Sequence, residues 1–284
     1  MKNAQKKKNS RRMRKKLRAL LAVSCGLFFL LVCFSGWKIY SILHGYKDAE
    51  RRYDDLAGAV VAAPSVPAAP AAETQQSAAQ DAAPESPPPE ETPRERSPVD
   101  VDFAALREIS GDVIGWLCLP HTAINYPVAQ GWDNVFYLDR FIDGSPAAGG
   151  TLFADYQCPS DFSGRNTIIY GHNMRDGSMF ALIDDYADQS FYEQHPVMYL
   201  NTPSQNYRID LFSGFTAEPR SFVYTSAFSS DEDYAAFLRR LLAASEIDCG
   251  LEPGVGDRIV TLSTCTYSGE DVRFVLCGTL TEID

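Results

Sequence analysis

The chain of 284 residues carries 26 Lys/Arg against 37 Asp/Glu, a net charge of −11, and 45% of it is hydrophobic. The charge is unevenly spread: residues 1–18 hold ten Lys/Arg and no acid, whereas residues 99–284 hold 10 Arg against 27 Asp/Glu, a net −17, with no lysine after Lys47. So acidic a domain excludes nucleic acid as a partner, and the seven cysteines lack the spacing of a disulfide framework or a zinc site.

Residues 1–18 read as a basic cytoplasmic tail. Residues 19–37 contain no charge; at 1.5 Å per residue they span about 28 Å, close to a bilayer's hydrocarbon thickness. Trp37, Lys38 and Tyr40 suit the far interface, and the basic flank predicts an N-terminus in the cytoplasm with everything after residue 40 outside. A cleaved signal peptide is the rival reading, but no small-x-small site follows the run. A lipobox at Cys33 is weaker still, because Val32 precedes it where a small residue is expected.

Residues 38–98 follow as a juxtamembrane segment and linker. Residues 58–98 hold nine of the 17 prolines and eleven alanines, a composition that builds no core. Extended, such a segment reaches at most ~125 Å, which predicts a spacer holding the domain off the membrane.

Residues 99–284 are of ordinary size for one domain. Phe103–Ile109 is predicted as a helix capped by Asp102. Strands are expected over 113–119, 123–128, 151–154, 166–170, 197–200 and 207–215, and a helix over 178–186. The best helix is 233–245: Ser230 caps it, acids fill its first turn, and Tyr234, Phe237, Leu238, Leu241 and Leu242 make its apolar stripe. Alternating runs over 258–265 and 273–280, joined by a polar loop with Ser268 and Gly269, read as a hairpin. The sum is a mainly β domain with a few helices (α+β), in a closed or nearly closed barrel.

That hairpin carries the chemistry. Cys265 ends the first run and Arg273 opens the second, so a thiol and a guanidinium can lie across from one another, and a neighbouring cation favours thiolate. His172 follows the strand 166–170 through Gly171, which displays it at the barrel rim. Each has a plainer reading: a buried free thiol packs as a small hydrophobe, Arg273 is a solvated strand-end charge, and His172 is structural. Spacing alone leaves these readings open.

The motifs favour the site. Thr261, Leu262, Ser263, Thr264 and Cys265, with Arg273 on the next strand, resemble the sortase signature TLxTC…R. The run NTIIYGHNMRDGSMF from Asn166 to Phe180 is similar to the histidine segment of class B sortases, as are INYPVAQG from Ile124 and QSFYEQH ending at His195. The resemblance covers about residues 101–282. It implies an eight-stranded sortase barrel with an N-terminal helix and a long helix before the last hairpin.

It also implies a transpeptidase on the outer face of a Gram-positive cell membrane, single-pass and facing the cell wall. Such an enzyme cleaves a C-terminal sorting signal of the Asn-Pro-x-Thr-x type on surface proteins. It then joins the new carboxyl end to the amine of a lipid-linked peptidoglycan precursor. By that resemblance Cys265 is the nucleophile, His172 the acid/base and Arg273 the third catalytic residue. Asn125, Tyr170, Ser263 and Thr264 line the substrate groove, and no metal or organic cofactor is required. The chain departs from the family at Thr266, where an acidic residue is common, and in a short loop before Arg273. Three alternatives stay open: a pilin-type sortase of another class, a secreted cysteine peptidase passing the acyl group to water, and a wall-tethered binding module.

Overall fold

The computed structural model describes residues 2–62, 95–265 and 272–284. They divide into two compact units, residues 1–48 and residues 49–284. Helix α1 (Lys2–Val60) runs through the first and ends in the second. Among the described residues, one helical stretch, Ser24–Val60, is long and apolar enough by length and composition to cross a membrane. Its apolar side chains, Leu27, Phe28, Phe29, Leu30, Leu31 and Phe34 among them, are exposed.

The second unit begins earlier than the composition suggests. Ala49, Tyr53, Leu56 and Val60 recur at helical spacing and are buried. Strand β1 (Val61–Ala62) then pairs antiparallel with β2 (Asp100–Val101), and the Asp102 amide donates to the Val60 carbonyl at 2.8 Å. Residues 62 and 100 are therefore neighbours. The spacer expected over 58–98 is thus flanked by residues 61–62 and 100–101, which are joined in one strand pair. Residues 63–94 themselves lie outside the described residues.

Helix α2 (Phe103–Ile109) starts where Asp102 predicts, its carboxylate accepting from the Ala105 amide at 3.0 Å. There follow β3 (Val113–Cys118), β4 (Asn125–Ala129), β5 (Leu152–Ala154), β6 (Asn166–Gly171), α3 (Gln189–Gln194), β7 (Val197–Asn201), β8 (Asn206–Ala217), α4 (Asp231–Ala244), β9 (Ile259–Cys265) and β10 (Arg273–Ile283). Eight strands close a barrel in the order β10-β8-β7-β3-β4-β5-β6-β9. The β4–β5 and β6–β9 pairs are parallel and the others antiparallel. Closure removes the free edges that an open sheet of this size exposes.

The expected helix over 178–186 is corrected: a 3-10 helix spans Ala181–Ala187 instead. Its predicted first turn is lost because Met179 takes φ +55° and its amide donates to the Tyr126 hydroxyl at 3.2 Å. Helix α4 begins two residues before the predicted start, with Ser230 accepting from the Asp233 amide. Its stripe packs Tyr234, Phe237, Leu238 and Leu241 on Phe215, Ala217, Ile259, Val275 and Cys277, the strand face outside the barrel. The buried Tyr234 hydroxyl donates to the Asp257 carbonyl at 2.8 Å and lies 3.0 Å from that of Arg165. Tyr234→Phe leaves those carbonyls short of a donor and is expected to cost about 1–2 kcal/mol, read as a lower midpoint in urea unfolding at unchanged slope.

Candidate active site

Three neighbouring strands meet at one end of the barrel. In β9, Cys265 pairs with Arg273 of β10. On its other side β9 runs parallel to β6, and the last pair is Gly171 with Thr264. His172 is the next residue after Gly171, so the register sets it level with Cys265. Cys265 therefore lies on the central strand, between the position of His172 and that of Arg273, and its pairing with Arg273 is the one the hairpin predicts. Arg273 is itself held on both sides, since it also pairs with Ala217 of β8.

Residues directly paired across strands share a sheet face. Asn166, Tyr170, Thr261 and Ser263 occupy the face that carries α4 and the 3-10 turn Phe222–Tyr224. Thr261 donates to Asn166, Asn166 donates to the Val223 and Thr225 carbonyls, and the Ser263 and Tyr224 hydroxyls lie 3.0 Å apart. Tyr170 stacks on Tyr224 with ring centroids 6.2 Å apart, and its hydroxyl donates to Asp155 at 3.0 Å. Burial, and then the Asp155 charge, push the Tyr170 phenol far up, so it stays a donor.

Gly171 is what lets the strand end so close to its neighbours. A Cβ there would fall 2.5 Å from Leu152 and 2.6 Å from Phe180. Immediately after it, the half-buried His172 ring donates through Nε2 to the Leu138 carbonyl at 2.7 Å. A carbonyl only accepts, so this bond keeps the proton on Nε2 and leaves Nδ1 as the nitrogen free to exchange one. The loop after His172 is pinned by the Phe180 amide donating to the His172 carbonyl at 2.9 Å and by the Asn173–Met179 bridge.

Asn173 also donates to Asp184 at 2.6 Å, and burial raises the Asp184 carboxyl to about 6. A carboxyl raised on folding binds its proton more firmly in the native state. The contribution of this carboxyl to stability is then greatest below the unfolded value near 4 and falls as pH rises from about 4 to about 6. Asp184→Asn removes this penalty, so its melting temperature is expected to gain on the wild type by about 2–4 °C at pH 7 and not at pH 4.

The four predicted groove residues are placed differently from one another. Tyr170 is half-buried on the face described, and Ser263 is buried beneath the Tyr224 hydroxyl. Thr264 was expected beside them, but the strand alternation turns it to the opposite face, fully buried in the barrel. Asn125 starts β4 and accepts from the Trp116 indole at 2.7 Å. Sequence reasoning missed Tyr224 and the Leu138 carbonyl, both carried on 3-10 turns within loops; nothing in their local pattern marks them. Among the described residues no cluster of metal-binding side chains occurs.

No protein-family model matches the chain. It is 31% identical over 268 residues to sortase B of Listeria monocytogenes, covering 93% of this chain and 98% of that protein. It is 32% identical over 192 residues to sortase B of Staphylococcus aureus, covering 67% of this chain and 79% of that protein. A solved S. aureus sortase B–substrate complex superposes with a TM-score of 0.61 at 33% identity, over 64% of this chain and 85% of that one.

Proposed function

The chain belongs to the class B sortases, cysteine transpeptidases by family, and on that premise we propose that Cys265, His172 and Arg273 carry its chemistry on a C-terminal sorting signal. The observation that carries this reading is the register that sets His172 and Arg273 on either side of Cys265.

Thiolate is the competent form of the nucleophile, and an unperturbed thiol near pKa 8.5 is only a few per cent ionised at pH 7. The Cys265 thiolate attacks the scissile carbonyl, and Arg273, which does not lose its proton, donates to the oxyanion or holds the substrate backbone. As the C–N bond breaks, His172 gives its Nδ1 proton to the leaving amine, and the acyl group stays on sulfur as a thioester. An incoming amine attacks the thioester, His172 takes its proton back, and the thiolate leaves. The ring is charged in the first half and neutral in the second, the proton cycle of a histidine general acid and base.

The substrate is an Asn-Pro-x-Thr-x signal on a surface protein, held along Tyr170, Ser263 and Asn125; the substrate complex of the S. aureus relative supports a sorting signal as the ligand class. The acceptor is the amine of a lipid-linked peptidoglycan precursor. The basic residues 1–18 and the apolar residues 19–37 anchor the enzyme with its N-terminus in the cytoplasm and residues 99–284 facing the wall. The deciding experiment is mass spectrometry of the enzyme with an Asn-Pro-x-Thr-x peptide library, with and without added oligoglycine. Cleavage after Thr with an amide-joined product is expected. Release of free acid alone, in the presence of the amine, would make it a peptidase.

A further inference from the structure

We propose that Tyr53, near the C-terminal end of α1, is a positioning residue for His172, so that the helix leading from the apolar segment completes the catalytic centre. The proposal rests on the reading of His172 as the acid/base. Two routes lead from Tyr53 to that ring, and both are built within the unit spanning residues 49–284.

The first route runs through the loop that supplies the carbonyl. The buried Tyr53 hydroxyl donates to the Gly150 carbonyl at 2.6 Å and lies 2.9 Å from Thr151 Oγ1. Thr151 in turn donates through its side chain to the Arg140 carbonyl and through its amide to that of Tyr137. Gly150 has φ +58°, and a Cβ on it would fall 2.5 Å from the Leu138 carbonyl oxygen, so its backbone lies directly against that group. This is the carbonyl that receives the His172 Nε2 proton. Beside Tyr53, Arg52 donates to Ser145 at 2.7 Å and to Asp143 at 3.1 Å and stacks over Phe141 at 4.0 Å, closing the same loop.

The second route reaches the turn that follows His172. Tyr53 meets Tyr126 edge to face, with centroids 5.3 Å apart. The Tyr126 hydroxyl accepts from the Met179 amide, and Met179 bridges to Asn173, the residue after His172. One phenol thus supports both the acceptor of the histidine proton and the turn that carries the histidine. Displacing a catalytic group by about 1 Å can cost up to 10²-fold in rate.

The test compares full-length enzyme in detergent micelles with its Tyr53→Phe variant, which keeps the ring and loses the hydroxyl. Histidine-labelled protein is read by NMR, with the His172 signal assigned through His172→Ala. Tyr53→Phe is expected to lower kcat for peptide-to-oligoglycine transfer about tenfold at unchanged KM and to move the His172 ring resonances while those of His121 and His195 stay. Thr151→Val, which cuts the same loop without touching α1, is expected to act in the same direction. Wild-type kcat and unmoved His172 resonances in both variants would overturn the proposal, as would a fall in melting temperature with the His172 signal in place. His172→Ala with full transfer activity would sink the catalytic reading of His172 alone; the ring resonances of Tyr53→Phe would still decide whether the phenol holds the ring.

Discussion

Cys265→Ala is expected to lower kcat for sorting-signal cleavage by about 10⁴ or more, because without a nucleophile no acyl-enzyme forms and the remaining groups only bind and polarise. The thioester adduct, seen as a mass gain on stopping the wild-type reaction, is expected to vanish with it. No other cysteine of the barrel can replace Cys265. Cys118, Cys158 and Cys277 are buried, and burial pushes the Cys118 thiol to about 11, that of Cys277 to about 12 and that of Cys158 upward. Cys249 is half-buried and raised as well. The same contrast predicts that brief alkylation at pH 7 modifies Cys265 and leaves these four unlabelled, which peptide mapping checks. Rapid alkylation of Cys118 or Cys277 in folded enzyme would mean that the barrel opens far more readily than its packing implies. Cys265→Ala retaining cleavage would end the nucleophile assignment and return the binding-module reading to the front.

Much of this site was legible because strand alternation is a short-range property. The runs 258–265 and 273–280 declare a hairpin by themselves, and the hairpin brings Cys265 opposite Arg273 without knowledge of any other element. His172 was legible as a rim residue only because a strand precedes it. That β6 runs parallel to β9, so that His172 comes level with Cys265, is a long-range fact that alternation within one run does not carry. Thr264 shows the reverse failure: its place in the motif suggested a groove residue, while the alternation already written in the sequence turns it away. Tyr224 and the Leu138 carbonyl were illegible because loops position them through tertiary contacts.

The proline and alanine count of residues 58–98 predicted a linker but carried no information on its ends, where Val60 is buried and Val61 pairs with Val101. Composition tells how stiff a segment is and says nothing about where its ends are fastened. The fastening is the β1–β2 pair together with the stripe Ala49, Tyr53, Leu56 and Val60. That stripe was open to reading at its helical spacing, hidden only by its position between an apolar segment and a low-complexity one.

Arg273→Ala is expected to lower kcat about 10²–10³-fold, the cost of removing one preorganised donor from an oxyanion. The backbone of Arg273 is held in the sheet on both sides, by Cys265 and by Ala217, so the loss is one of side chain rather than of local fold. Arg273→Lys keeps the charge but loses the planar fork, and it should recover only part of the rate because an ammonium cannot give two parallel hydrogen bonds. The two roles open to a guanidinium here separate cleanly. If Arg273 acts by favouring thiolate, the pH dependence of Cys265 alkylation shifts upward in Arg273→Ala. If it acts on the oxyanion or the substrate backbone, alkylation keeps its wild-type pH profile while acyl transfer collapses. The second outcome is the expected one. At pH 7 an ion pair can at most raise the thiolate fraction from a few per cent to nearly all, about 30-fold, which is too little for the loss predicted.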